Sequence, residues 1–344
     1  MVGGRIRTAV IGASGYTGAD LVRLAVRHPN VEIVALTANS HAGKPMAQVY
    51  PHLAGFGLPD LVRNEEVDWS GVDAAFCGLP HGTSQDVIAT LPEHVKVIDI
   101  SADFRLRDPQ TYAEWYGLEH VAQDLLKEAV YGLTEHYRDE IRNARLVACP
   151  GCYPTATLIL LLPLVESGVI STDDLIIDAK SGVSGAGRGL KQNTLFCEAG
   201  EGMGPYAVGR HRHAPEIEQE LSRAAGQSVV VNFTPHLIPM SRGEFITAHA
   251  KLADGATAAD CERVLAERYA DEPFVRVREK PVDIKSVAGT NFCDIYAQRN
   301  GTSLFIASAI DNLLRGASSQ AVVNANILCG FDESLGIPIL ACVP

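Results

Sequence analysis

The chain has 344 residues, 47% of them hydrophobic and 20% charged. That is enough apolar material for full-sized cores, and it excludes a globally disordered chain. At roughly 150 residues per domain the length suggests two domains. Asp plus Glu number 41 against 29 Lys plus Arg, giving a formal net charge of −12, and aromatics are only 6%. A basic stripe or an aromatic platform for nucleic acid is therefore not expected.

The opening residues Met1-Val2-Gly3-Gly4-Arg5 lack the apolar stretch of a secretory signal. The most apolar run, residues 156–165, contains Pro163 and is about half the roughly 20 residues needed to span a bilayer. A soluble, cytoplasmic protein without membrane association is expected. Eight cysteines stand at positions 77, 149, 152, 197, 261, 293, 329 and 342, mostly in apolar stretches. They read as reduced thiols and not as a disulfide framework. Cys149-Pro150-Gly151-Cys152 is the one close pair, whereas a zinc ribbon needs two. No metal site is expected.

In chain order, residues 5–11 form a β-type run and residues 19–26 carry helical apolar spacing. Residues 31–36 are again β-type. Residues 74–77, 95–100 and 146–148 continue the strand series, with a helix over 84–91. Strands alternating with helices give a parallel sheet covered on both faces, so an N-terminal Rossmann-type doubly wound domain is expected over residues 1–151. The second half has strands at 175–179, 229–234, 244–252, 291–298 and 303–310. Helices fit 155–167, 215–225, 258–269 and 318–328. Strand following strand predicts an α+β domain with a mixed sheet over 152–317, with the segment 318–344 packing back on the first domain.

The first strand runs into Gly12-Ala13-Ser14-Gly15-Tyr16-Thr17-Gly18 and then a helix. Such a turn brings backbone N–H groups at a helix N-terminus to a pyrophosphate. Alone, a Gly-rich turn is weak evidence; its place after the first strand is what favours a nucleotide. The second strand ends in Leu36-Thr37-Ala38-Asn39-Ser40, with no acid for a ribose 2′-hydroxyl, and Lys44 follows. Thr37, Asn39 and Ser40 with a nearby cation suit a 2′-phosphate, hence NADP(H) over NAD.

Cys152 sits between two prolines directly before the apolar helix. The positive end of a helix dipole lowers a thiol pKa and favours thiolate. A buried small hydrophobe is the bland alternative. Arg210-His211-Arg212-His213-Ala214-Pro215-Glu216 offers imidazoles for acid/base work and guanidiniums for an anionic substrate; a solvated basic turn competes with that reading. His28, His94 and His120 lie in polar contexts and read as surface. Ser101-Ala102-Asp103-Phe104-Arg105 follows a strand at the carboxyl edge of the sheet, where Arg105 suits a phosphate or carboxylate unless Asp103 pairs with it. Ser181 and Gly182 open a Gly- and hydroxyl-rich loop ending at Arg188, suited to close approach by a cofactor or phosphate, with a plain flexible loop as the competing reading.

A hydride cannot readily be exchanged with a carboxylate but can reduce a thioester. A dinucleotide turn, an activated Cys and a later His together imply an acylating aldehyde dehydrogenase of the phosphorylating type. The stretches GASGYTG (12–18), LPHG (79–82), DISADFRL (99–106), YGLTE (131–135) and PGCYPTA (150–156) carry a more specific likeness. So do SGVSGAGR (181–188), HRH (211–213), FTPHLIPM (233–240) and DNLLRGASSQAVVN (311–324). In these the sequence resembles the N-acetyl-γ-glutamyl-phosphate reductase family, relatives of aspartate-semialdehyde dehydrogenase, over nearly its whole length.

The resemblance implies NADPH-dependent reduction of an acyl phosphate, N-acetyl-L-glutamyl 5-phosphate, with phosphate release, in arginine biosynthesis. It implies Cys152 as nucleophile and His211 as acid/base. Ser101, Arg105, Arg188, His213 and Glu216 are then expected around the substrate. Gly12, Ser14, Gly15, Tyr16, Thr17 and Gly18, with Thr37, Asn39, Ser40, Ser181 and Gly182, are expected around the cofactor. A homo-oligomer, dimer or tetramer, is implied as well. The family's Asn before Pro-Gly-Cys is replaced here by Cys149. Aspartate-semialdehyde dehydrogenase activity and a non-catalytic nucleotide-binding protein remain the alternatives.

Overall fold

The computed structural model describes residues 4–301 and 303–341, so Met1, Val2, Gly3 and Cys342 lie outside the described residues. The chain divides into two compact units. One comprises Met1–Pro150 and Ala317–Ile337; the other comprises Gly151–Gly316 and Pro338–Pro344.

The first unit holds strands β1 (Ile6–Ile11), β2 (Val31–Thr37), β3 (Leu61–Val62), β4 (Ala74–Cys77), β5 (Lys96–Asp99), β6 (Val130–Tyr131) and β7 (Leu146–Ala148). They form one sheet in the order β3-β2-β1-β4-β5-β7-β6. Every pairing is parallel. The chain leaves β1 toward β2 on one side and returns to β4 on the other, so the order reverses at the C-terminal end of β1. Ligands of doubly wound sheets bind at such a reversal. The Gly-rich turn stands there.

Helices α1 (Tyr16–Ala25), α2 (Met46–Val49), α3 (Ser84–Ala89), α4 (Pro109–Tyr116), α5 (Gln123–Glu128) and α6 (Thr134–Asn143) alternate with these strands. Helix α1 begins three residues before its apolar spacing does, because Gly15 is its N-cap. Helices α4 to α6 and the two-residue strands β3 and β6 are too short or too polar to carry a periodic signal. Pro109 opens α4, where Asp108 caps it by accepting from Gln110 N and Thr111 N. His28 and His120 prove buried, contrary to their polar sequence context. His28 Nε2 lies 3.0 Å from Asn326 Oδ1, and His120 packs edge-on against Phe104 and Tyr112.

The second unit begins with α7 (Cys152–Glu166), followed by β8 (Leu175–Gly182), α8 (Phe196–Ala199), β9 (Gly204–Pro205), α9 (His213–Ala225) and β10 (Val231–Ile238). Then come β11 (Glu244–Ala250), α10 (Ala258–Arg268), β12 (Val275–Val277), β13 (Cys293–Asn300) and β14 (Ser303–Ile310). Its sheet runs β12-β13-β14-β11-β8-β10-β9. It is mixed: β8 and β10 are parallel, whereas β11 lies antiparallel to both β8 and β14. Helix α7 packs against α9, α10, β11 and β14. Residues 153–165 of it are all buried, as expected of a helix apolar on every face.

Helix α11 (Ser319–Leu328) belongs to the first unit, where it packs against α1, α6 and β5. That return ends at Ile337; Pro338 O accepts from Asn291 N of the second unit. Among the described residues no helix is long and apolar enough to cross a membrane.

Candidate active site

In the first unit the turn after β1 is built by close backbone contacts. Gly12 has φ +80°, and a Cβ on it would lie 2.4 Å from Gly78 O. A Cβ on Gly18 would lie 2.4 Å from Gly12 O. Only glycine fits either place. Gly15 caps α1 without a side-chain hydrogen bond, and the first turn holds no acid. The orphan N–H groups of that turn therefore meet an electropositive space suited to a pyrophosphate. Thr37 is buried, and its Oγ1 accepts from Gly12 N at 3.3 Å, so it braces the turn from within. Asn39, Ser40 and Lys44 are exposed just past β2.

Ser101 and Arg105 are both buried. Ser101 Oγ accepts from Leu79 N at 3.0 Å. Arg105 Nε donates to Cys149 O at 2.9 Å and its Nη2 to Ile100 O at 2.7 Å. Two guanidinium donors are thus spent on holding this loop to the end of β7. Asp103 accepts from Gly82 N, Ser84 N, Ser84 Oγ and the Tyr112 hydroxyl, so it organises the loop 82–84 around itself. Cys149 is fully buried, with Asn324 Nδ2 3.5 Å from its sulfur. Desolvation pushes its thiol up to about 12, which makes it a poor nucleophile.

The second unit carries the thiol centre. Gly151 is the N-cap of α7 and Cys152 its first residue. The helix therefore starts three residues earlier than its apolar run implies, with Pro154 in the first turn, where no intrahelical N–H is needed. This places the thiol at the positive end of a fifteen-residue helix. Cys152 is half-buried. Gly151 N donates to Glu216 Oε1 at 2.9 Å, and a Cβ on Gly151 would lie 2.4 Å from His213 Nε2. A Cβ on Gly316 would come within 2.7 Å of Cys152 Cβ. Glycines on both sides thus let the nucleophile's backbone sit in a tight cradle.

His211, His213, Tyr153, Tyr206 and Phe233 form one aromatic cluster, with His211 and His213 ring centroids 4.8 Å apart. The Tyr206 hydroxyl donates to that of Tyr153 at 3.2 Å, which in turn donates to His236 O. His213 N donates to His211 Nδ1 at 3.1 Å. An acceptor Nδ1 leaves the proton of neutral His211 on Nε2. Burial, aided by the Arg212 charge, lowers its pKa to about 4. At neutral pH His211 is therefore a neutral N–H donor.

Ser181 is buried at the end of β8 with its hydroxyl donating to Gly182 O, and a Cβ on Gly182 would lie 2.8 Å from Ser241 O. Arg188 is exposed. Sequence reasoning missed Glu244 and Tyr206. Glu244 opens β11 and is fully buried, and among the described residues neither of its carboxyl oxygens has a hydrogen-bond partner. An acid at the head of an otherwise apolar alternation was the available signal. Among the described residues no group of three or more His, Cys, Asp or Glu is placed to hold a metal.

Two family models match: the semialdehyde dehydrogenase NAD-binding domain over residues 7–144 and the semialdehyde dehydrogenase dimerisation domain over 152–312. The chain is 50% identical over 342 residues to an N-acetyl-gamma-glutamyl-phosphate reductase of Rhodospirillum rubrum, covering 97% of each. It is 51% identical to that of Jannaschia sp., covering 98% of this chain and 99% of the relative. A probable chloroplastic counterpart of Oryza sativa is 49% identical, over 97% of this chain and 82% of the relative. Among solved structures, aspartate semialdehyde dehydrogenase II of Vibrio cholerae, complexed with ASA, matches with a TM-score of 0.70. It is 16% identical, over 95% of this chain and 99% of that one. Aspartate semialdehyde dehydrogenase with NADP from Candida albicans gives 0.68 at 16% identity, over 94% and 98%.

Proposed function

Because the chain belongs to the N-acetyl-gamma-glutamyl-phosphate reductases of the semialdehyde dehydrogenase family, we propose that it reduces N-acetyl-L-glutamyl 5-phosphate to the semialdehyde with release of phosphate. The reaction serves arginine biosynthesis in the cytoplasm. The observation that carries the chemistry is the half-buried Cys152 thiol at the head of α7. Helix-dipole stabilisation of the thiolate makes it the nucleophile toward an acyl phosphate.

Cys152 attacks the acyl carbon, phosphate leaves, and a thioester forms on the sulfur. When bound, the nicotinamide supplies the hydride that reduces this thioester. His211, neutral with its proton on Nε2, donates a hydrogen bond to the oxygen on which negative charge develops. Glu216 and His213 hold Gly151, and through it the sulfur, in place. The turn at Gly12, Ser14, Gly15, Tyr16, Thr17 and Gly18 would hold the pyrophosphate. The exposed Asn39, Ser40 and Lys44, with no acid beside them, favour NADP over NAD. A homo-oligomer fits the dimerisation-domain match over residues 152–312.

The test is an assay of NADPH oxidation with N-acetylglutamyl phosphate and aspartyl phosphate side by side. Turnover with the first and little with the second is expected; the opposite preference overturns the substrate. Cys152→Ser should abolish turnover and spare NADPH binding. Substantial retained activity would remove Cys152 from the mechanism.

A further inference from the structure

Two parts of the first unit are suited to the phosphates of a dinucleotide. One is the Gly-rich turn after β1; the other is the segment after β2 that carries Asn39, Ser40 and Lys44. NAD and NADP share the pyrophosphate that suits the turn, and only NADP brings a 2′-phosphate to the second part. How firmly the two parts are held at one span therefore bears on selectivity. Thr37 fastens the near end of the segment to the turn: its O accepts from Ala13 N and its Oγ1 from Gly12 N. The far end is fastened by Tyr50.

The segment is compact. Ala42 N donates to Asn39 O and Lys44 N to His41 O, so two turns overlap. Its end is laced to β3, where Gly43 N donates to Leu61 O at 2.6 Å and Leu61 N to Lys44 O at 2.9 Å. Pro45 then caps the single turn α2, and Tyr50 N donates to Met46 O at 2.9 Å. Met46 and Leu53, before and after Tyr50, are buried and root its backbone. His52 packs edge-on against the Tyr50 ring, with centroids 5.8 Å apart. From this base the Tyr50 hydroxyl donates to Ser14 O at 3.1 Å, between residues 36 apart in sequence. Gly15 N donates to Gly12 O at 3.2 Å, so the Ser14–Gly15 peptide unit is held at both of its polar ends. Gly15 is the N-cap of α1. Fixing the peptide before it fixes the direction of the N–H groups that open the helix.

We propose that Tyr50 is a positioning residue for cofactor selectivity: its hydroxyl latches the far end of the Asn39–Lys44 segment to the pyrophosphate turn. A nucleotide held by the turn then finds Asn39, Ser40 and Lys44 at a fixed span from it. The inference rests on the NADP(H) reading above. Two subsites joined in one frame act like two linked binding modules. A ligand held at the first meets the second at an effective concentration set by how closely the span is defined, and a frame fixed beforehand spares the cost of ordering it on binding. NADPH engages both subsites and gains from the latch. NADH has no 2′-phosphate, engages the turn alone and gains little. Thr37 does not replace the latch, because it leaves Lys44 and α2 unattached to the turn.

Tyr50→Phe removes the hydroxyl and keeps the ring, its packing and the net charge, so the fold is expected to stand. NADPH and NADH are titrated by their fluorescence into native protein and variant, without substrate. The native protein should bind NADPH more tightly than NADH. In Tyr50→Phe the Kd for NADPH should rise about fivefold, the order expected for one lost hydrogen bond, while the Kd for NADH stays within about twofold of native. Lys44→Ala should then weaken NADPH binding less in the Tyr50→Phe background than in the native one, because the two residues act together. A native preference for NADPH that Tyr50→Phe leaves unchanged overturns the latch and leaves the cofactor reading standing, even if the variant melts at a lower temperature, since a merely structural bond would do no more. An equal loss for both nucleotides, or an equal cost of Lys44→Ala in both backgrounds, overturns it too. A native protein that binds NADH as tightly as NADPH overturns the NADP reading, and this inference with it.

Discussion

Glu216 Oε1 accepts a hydrogen bond from Gly151 N at 2.9 Å, joining residues 65 apart in sequence. The bond fixes the N-cap of the helix whose first residue is Cys152. Glu216→Ala leaves that buried N–H without its partner, at a cost of about 1–3 kcal/mol. A lower melting temperature and slower alkylation of Cys152 are expected together. Unchanged alkylation would mean that the sulfur is positioned by other contacts.

Gly12 adopts φ +80° with Gly78 O where a Cβ would go. Gly12→Ala adds roughly 1–2 kcal/mol of left-handed strain to that overlap and displaces the turn. Titration of NADPH by its fluorescence should show binding weakened about tenfold or more, ~1.4 kcal/mol. Alkylation of Cys152 should proceed at the native rate, since the thiol centre lies in the other unit. Native affinity would show that this turn does not hold the dinucleotide.

Stability should depend on pH through two buried groups of opposite sign. The Glu244 pKa is raised from 4.5 to about 8. Its contribution is fully present below 4.5 and is lost as pH rises through 8. The His211 pKa is lowered from 6.5 to about 4, so its contribution is present above 6.5 and lost as pH falls through 4. Melting temperature should therefore fall on both flanks, and Glu244→Gln should flatten the alkaline flank. The same alkaline slope in that variant would contradict the burial of an ionising Glu244.

Cys149 is close to Cys152 in sequence and invites a redox reading. Its complete burial and a pKa pushed up to about 12 argue against it. Cys149→Ala should keep native turnover under reducing and oxidising conditions and lose about 1 kcal/mol of stability to the small cavity. A change in the redox response of activity would restore the thiol-pair reading.

Much of the fold was legible because its strands are uniform in type. The runs at 74–77, 146–148 and 303–310 coincide with β4, β7 and β14. Helices α4 to α6 were not, because their polar, short sequences take their shape from capping and from what they cover. The position of Cys152 was legible as the residue before an apolar run, but its place inside the first helical turn was not. Tertiary contacts, the Glu216 bond and the Gly316 contact with Cys152, hold that turn in place.

By itself the sequence determined the two kinds of sheet, the glycine turn after the first strand and the thiol before a buried helix. Each is a local pattern with a local physical cause, either side-chain periodicity or the absence of a Cβ. Only the tertiary structure decided that burial keeps His211 neutral while its Nδ1 accepts the His213 N–H and that Arg105 is engaged by backbone carbonyls. It alone decided that Glu244 is sealed from water with its pKa raised by burial. Protonation and charge depend on what surrounds a group in space, and strand β11 comes to helix α7 only when the mixed sheet is assembled.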